Sequence, residues 1–143
     1  MSEATEAAQR FIEATVTDLN RLADVYADRV VIEMPFAAPL FPVVREMTRD
    51  ELRTQFTRAG RPRYTGVSDV RLHETAAANT AVLEYRLHGV TAEGGREFTL
   101  DYVMVITTHD GQIVHSRDYS NLVQAAQAMG TTDQLIAALS STN

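Results

Sequence analysis

The stretch "TAVLEYRLHGVTAEGGREFTLDYVMVITTHDGQIVHSRDY", Thr80 to Tyr119, decides the fold. It holds the runs "TAVLEYRLHGV", "REFTLDYVMVITT" and "QIVHSRDY", rich in β-branched and aromatic residues and cut by "TAEGG" and "HDG". Such runs between Gly- and Asp-rich clusters read as strands, and Asp110-Gly111 is a strong signal for a two-residue hairpin turn. A further run, "VSDVRLHE", lies just upstream across "TAAAN". Strands that follow one another without intervening helices predict an antiparallel meander. Helices confined to other parts of the chain then make the class α+β rather than a doubly wound βαβ fold.

Working outward, the first third reads as helical. Ala4, Ala7, Ala8, Phe11 and Ile12 form one apolar stripe, and Leu19, Leu22, Val25 and Tyr26 repeat it after "TVTD". "RVVIEMPF" is a short β-rich run ended by proline. "AAPLFPVVRE", Ala37 to Glu46, reads as an irregular apolar loop, since its prolines break regular structure and an apolar loop tends to cover something. Thr48 with Glu51 forms a capping box that opens a helix, and Gly60 follows its end. "NLVQAAQAMG" predicts a helix with Leu122, Val123, Ala126 and Met129 inward and a stop at Gly130; a last short helix follows. No linker or repeat interrupts residues 1–143, so a single domain is expected.

Composition removes several kinds of chemistry. There is no Cys, hence no disulfide, thiol nucleophile or zinc–thiolate site. All 13 basic residues are Arg, so a Schiff-base lysine is impossible. No nucleotide-binding loop, nucleophile elbow or metalloprotease helix is present, and the histidines lack metal-ligand spacing. Neither a cofactor nor a metal is therefore expected. Catalysis would have to use carboxylates, His, Tyr, hydroxyls or backbone groups. A net charge of −6 argues against nucleic acid and anionic membranes as partners, and "RAGRPRY", Arg58 to Tyr64, reads as a solvated basic loop. No apolar run is long enough to span a bilayer, and "MSEATEAAQR" lacks the apolar core of a signal peptide, so a cytoplasmic location is expected.

Counting outward from symmetric turns pairs His109 with Gln112, Val103 with Asp118 and Arg86 with Val103. Arg86, Val103 and Asp118 would then share one row on one face. The next rows are Glu84, Val105 and Ser116, and then His88, Asp101 and Ser120. The opposite face carries Leu83, Tyr85, Leu87, Tyr102, Met104, Ile106 and Tyr119, plus Arg117 and His115. A single bulge would exchange the faces. Polarity alone suggests a plainer reading, in which Leu83, Tyr85 and Leu87 are core, Glu84, Arg86 and His88 face solvent, and Arg86–Asp118 is a surface ion pair. His73, His109 and His115 read as surface or interface residues.

The segments "DLNRLADVYADRVVIEMPFAAP", "LEYRLHG" and "DGQIVHSRDYSN", together with the capping-box helix, resemble the SnoaL-like branch of the nuclear transport factor 2 superfamily. Ketosteroid isomerase, limonene epoxide hydrolase, SnoaL-type polyketide cyclases and phenazine-biosynthesis proteins belong to that superfamily. The resemblance implies a cystatin-like architecture: a strongly curved antiparallel sheet wrapped by N-terminal helices into a cone around an apolar pocket. A homodimer through the outer sheet face is also implied. It places Asp118 at the position of the epoxide hydrolase's catalytic acid and Arg86 at that of its arginine. His88 stands where the hydrolase has Asp, and Val31 and Glu33 where it has the water-holding Tyr and Asn. The steroid isomerase's acid–tyrosine pair is not identifiable.

The expectation is thus a cofactor-free acid–base enzyme acting on a hydrophobic small molecule by isomerisation, cyclisation, dehydration or water addition. Asp118 would be the base, kept ionised by Arg86, with Glu33 as proton donor or second base. His88, Val31, Met34, Phe36, Phe41, Val103, Ser116 and Met129 would line the pocket. Ordinary core packing is the plainer reading of Met34, Phe36, Phe41, Val103 and Met129, and an exposed strand end or dimer salt bridge that of Glu33. The alternative function is a non-catalytic ligand-binding or dimerisation domain.

Overall fold

The computed structural model describes residues 1–141. Its helices are α1 (Glu3–Thr17), α2 (Leu19–Asp24), α3 (Arg49–Thr57), α4 (Leu122–Met129) and α5 (Thr132–Ser141). Its strands are β1 (Tyr26–Glu33), β2 (Val44–Thr48), β3 (Arg63–Glu74), β4 (Thr80–Val90), β5 (Glu97–His109) and β6 (Gln112–Ser120). They form one curved, open, six-stranded sheet in the order β2-β1-β6-β5-β4-β3. The class is α+β, as expected. Every neighbouring pair is antiparallel except β1 and β6, which run parallel.

Local signals place the helix ends. The Ser2 hydroxyl accepts from the Thr5 N–H at the start of α1, and the Asp18 carboxylate accepts from Asn20 at the start of α2. Thr48 and Glu51 complete their reciprocal capping box on α3. Asn121 caps α4, which stops at Gly130 in the left-handed conformation, φ 69°. Helices α1 to α3 lie over the inner face of the sheet. Ala7, Ala8 and Phe11 of α1, Leu22 of α2 and Leu52 of α3 join Leu83, Tyr85, Leu87, Met104 and Ile106 of the sheet in one core. The Phe11 ring meets Tyr26 and Tyr85 edge-on, with centroids 6.5 and 6.0 Å apart. Truncating an aromatic ring so placed costs about 3–5 kcal/mol.

Two expectations about element boundaries change. Tyr26 opens β1 instead of closing a helix, because the chain turns at Val25 into pairing with Ile113. The apolar loop ends earlier than Glu46: Val44, Arg45 and Glu46 pair with Glu33, Ile32 and Val31 as the edge strand β2. The second proline is Pro42, so nothing in 44–48 prevents strand hydrogen bonding.

The register changes more. The Asp110-Gly111 turn is as expected, with φ of 51° and 79° and His109 facing Gln112. Then a bulge intervenes. Thr108 faces Ile113 but Thr107 faces His115, leaving Val114 unpaired. From there on each β6 residue meets a β5 partner one place later than the uninterrupted count gives, so Asp118 faces Met104 and Val103 faces Tyr119. At the other hairpin Arg86 faces Asp101 and Glu84 faces Val103, an offset of two that preserves the faces. The row Arg86–Val103–Asp118 therefore does not form. On β4 the reading by polarity holds: Leu83, Tyr85 and Leu87 are buried, while Glu84, Arg86 and His88 lie on the outer side.

Candidate functional site

The inner face of the sheet and helices α1 to α3 leave a cavity of about 210 Å3 between them. Its lining is largely apolar, with Phe11, Leu19, Ile32, Met34, Phe56 and Met104 among its walls. Among the described residues, Asp118 supplies its only carboxylate. The bulge at Val114 explains that placement: Ile113 and Ser116 are both fully buried on the inner side, so Asp118, two residues past Ser116, follows them inward.

Three environments act on this carboxyl group. Burial among apolar groups disfavours its charge and pushes its pKa from the ordinary 3.8 up to about 6. The Ser116 hydroxyl donates to Asp118 Oδ1 and pulls in the opposite direction, as does the charge of His115. No arginine takes part. Asp118 is therefore poised near neutrality by desolvation, the reverse of a carboxylate held ionised by a guanidinium.

Tyrosines surround it. Tyr85 and Tyr102 stack with centroids 5.4 Å apart, and the Tyr85 hydroxyl donates to Met104 Sδ at 3.7 Å. Tyr26 lines the same cavity and packs on Phe56. Burial, with the nearby Asp118 charge as a further contribution, raises the pKa of Tyr26, Tyr85 and Tyr102, so each phenol keeps its proton and remains a donor.

The other candidates fall elsewhere. Arg86 lies on the outer face, where its Nε donates to Asp101 Oδ1 at 2.8 Å and its Nη2 to Oδ2 at 3.2 Å. That bond lowers the Asp101 pKa, helped by a second one from the Gln124 amide. Glu33 also faces outward, because its strand neighbour Ile32 looks into the cavity. It meets His115 Nε2 at 3.0 Å and Arg117 Nε at 3.7 Å, in keeping with an ion-paired strand end. Arg117 and Asp118, adjacent in sequence, thus serve opposite faces of the sheet.

Of the expected lining, Met34 does border the cavity, and Ser116 lies buried directly behind the Asp118 carboxylate. Phe36 and Val103 lie with Arg86 in a groove on the outer face, where Phe36 meets Tyr119 edge-on at 5.1 Å. Val31 looks outward beside Glu46. His88 hydrogen-bonds Ser68 Oγ at 2.7 Å near the β3 edge. Phe41 sits in a surface cleft against α3, and Met129 is exposed on α4. The family resemblance places Val31 and His88 in the cavity, and the expected row with Asp118 places Val103 there, a row that the bulge breaks.

Sequence reasoning also missed cavity groups. Arg45 lines it because it pairs with Ile32 on an inward position of β2. Arg61 lines it from the loop before β3, so the run taken for a solvated basic loop closes over the cavity. Among the described residues, no group of three or more His, Asp or Glu could hold a metal ion, and no helix is long and apolar enough to cross a membrane.

Comparison with known proteins agrees with this architecture. The SnoaL-like domain family matches residues 8–116. The chain belongs to the SnoaL-like family. A PhzA/B-like protein of Pseudomonas aeruginosa, itself uncharacterised, is 32% identical over 117 residues, which cover 79% of each chain. Among solved structures, a candidate isomerase from Bacillus subtilis superposes with a TM-score of 0.79 at 24% identity, covering 90% of this chain and 94% of its own. The Δ5-3-ketosteroid isomerase of a Mycobacterium species gives 0.67 at 20% identity, covering 87% and 97%. At these identities the structures establish the fold alone.

Proposed function

We propose that this SnoaL-like protein is a cofactor-free acid–base catalyst acting on a hydrophobic small molecule, with Asp118 as the group that takes and returns the proton. One observation carries the reading. Among the described residues, Asp118 is the only carboxylate lining an apolar cavity, and burial brings its pKa to about 6, where a general base works best near neutral pH. The ionised carboxylate takes a proton from a carbon next to a carbonyl. The C–H electron pair moves into the carbonyl, giving an enolate. A neutral phenol from Tyr26 or Tyr102 donates a hydrogen bond to the oxygen that gains charge. Return of the proton to another carbon completes an isomerisation. Attack of the enolate carbon on a second carbonyl completes a cyclisation, and loss or addition of water follows from the same proton transfers. Ser116 acts through Asp118 by fixing its orientation and proton affinity. Arg86 and Glu33, facing outward, take no part. The kinship of ketosteroid isomerase within the fold supports this chemistry.

The reading includes a homodimer through the outer sheet face. Phe36 and Val103 there are 63% and 36% exposed, which is unusual for large apolar groups on a sheet.

The test is hydrogen–deuterium exchange at the α-carbon of small cyclic β,γ-unsaturated ketones, followed by NMR. Wild-type protein accelerates exchange over buffer, the rate falls below an inflection near pH 6, and Asp118→Asn reduces it to the buffer rate. Exchange that persists in Asp118→Asn removes Asp118 as the base. Ketones that bind without exchange in the wild type point to the non-catalytic binding function instead.

A further inference from the structure

Two guanidinium groups line the same cavity without an ion-pair partner among the described residues. Arg61 and Arg45 both border it, together with Gln55 of α3. Neither makes an ion pair with any carboxylate among the described residues. By contrast, the neighbouring arginines of α3 are paired, Arg49 with Asp28 at 3.0 Å and Arg53 with Asp24 at 2.6 Å. Arg61 is the sharper case. Its Nη2 makes one long bond to the Tyr64 hydroxyl at 3.3 Å, and its buried Nε has no acceptor at all. Buried guanidinium N–H groups are seldom left without a partner, and an oxygen that supplied one would gain a charge-assisted bond.

Asp118 does not fill that role. It makes no ion pair with either arginine, and neither contributes to its proton affinity. The Tyr102 phenol, however, feels both groups: the Asp118 charge raises its pKa and the Arg61 charge lowers it. A ligand lying along Tyr102 in the cavity would therefore meet both a carboxylate and a guanidinium.

Resting on the reading of Asp118 as the proton-transfer group, we infer that the substrate is an amphiphilic anion. It is a hydrophobic carboxylic acid whose charged end is held by Arg61, with Arg45 at the rim, while its apolar body lies along Phe11, Ile32 and Phe56 and its reacting carbon meets Asp118. The guanidinium fork suits a carboxylate bidentately. Repulsion from ionised Asp118 fixes the orientation, because the ligand's anionic end cannot settle beside it. The two arginines thus select a charged substrate over a neutral one of the same shape and also set which carbon reaches the base.

The probe is 2-naphthylacetate against its methyl ester, which adds one methyl group and removes the charge. The chain has no Trp, so naphthalene emission is read without a tryptophan background. Binding is measured near neutral pH to wild type, Arg61→Met, Arg61→Gln, Arg45→Met and Asp118→Asn, each checked for a native circular-dichroism spectrum and melting transition. Wild type is expected to bind the acid about tenfold or more tightly than the ester, the usual gain for a hydrogen bond to a charged group. Either Arg61 substitution abolishes that preference while leaving the ester's affinity unchanged, Arg45→Met reduces it, and Asp118→Asn retains it. Equal binding of acid and ester by wild type overturns the inference, as does a preference that survives both Arg61 variants. Failure of both ligands to bind overturns it together with the pocket itself. Carbon–hydrogen exchange that depends on Asp118, found alongside equal binding, leaves the acid–base function standing and this inference refuted.

Discussion

Replacing Asp118 by asparagine should stabilise the protein in a way that depends on pH. Burial raises the folded-state pKa of this carboxyl from 3.8 to about 6. Between those values the folded chain holds a proton that the unfolded chain has released, so unfolding becomes easier as pH rises. The change in proton affinity amounts to about 3 kcal/mol, at about 1.4 kcal/mol for each tenfold step. That cost is absent below about pH 4, grows as pH rises, and is complete above the folded-state pKa near 6. Asparagine carries the same shape with no ionisation. The stability of Asp118→Asn minus that of wild type, from urea unfolding at a series of pH values, should therefore climb by about 3 kcal/mol from pH 4 to pH 8. Taking the difference cancels every other titrating group, and any fixed packing effect of the amide shifts the curve without tilting it. A difference that stays flat across this range would falsify the claim that Asp118 is desolvated in the folded protein.

Further outcomes follow from neighbouring contacts. Ser116→Ala removes the donor that holds the Asp118 pKa down, so the inflection of the exchange rate should move above pH 6; an unmoved inflection means the hydroxyl does not act on the carboxylate. Arg86→Leu should change stability by less than about 1 kcal/mol and leave exchange untouched, since its side chain and that of Asp101 are 43% and 47% exposed on the outer face. Loss of exchange in that variant would put Arg86 back beside the base. Val103→Arg should convert a dimer to monomers in size-exclusion light scattering while preserving exchange per chain. A wild type already monomeric at high concentration removes the outer-face interface.

Signals that were legible in the sequence depend on neighbours along the chain. Thr48 with Glu51, Gly130 and Asp110-Gly111 each set a local backbone geometry that a few residues determine alone. The alternation of Leu83, Tyr85 and Leu87 with Glu84, Arg86 and His88 likewise shows which face is inward, whatever the strands' partners. The site was less legible. Asp118 was singled out from the family resemblance, but its surroundings depend on a bulge that arises where a curving strand must meet both β5 and β1. Counting from the turn therefore paired it with the wrong residues. Arg61 gave still less warning, because a basic loop looks solvated until α3 and β3 fold around it. Arg45 was hidden by the prolines before it, which made an edge strand look like coil.

The irregularity at Val114 also bears on how an acid of this kind is found in other chains. Because Val114 is the residue without a counterpart, a chain lacking it could keep Thr107 opposite His115 and Met104 opposite Asp118. A residue gained or lost between His115 and Asp118 would instead turn the carboxylate outward. Spacing from the hairpin tip is thus a poor ruler, whereas the interval from the buried serine to the aspartate is a good one. Among proteins of this shape, chains whose tip-to-acid spacing differs by one can share the same chemistry, and chains of identical spacing can lack it.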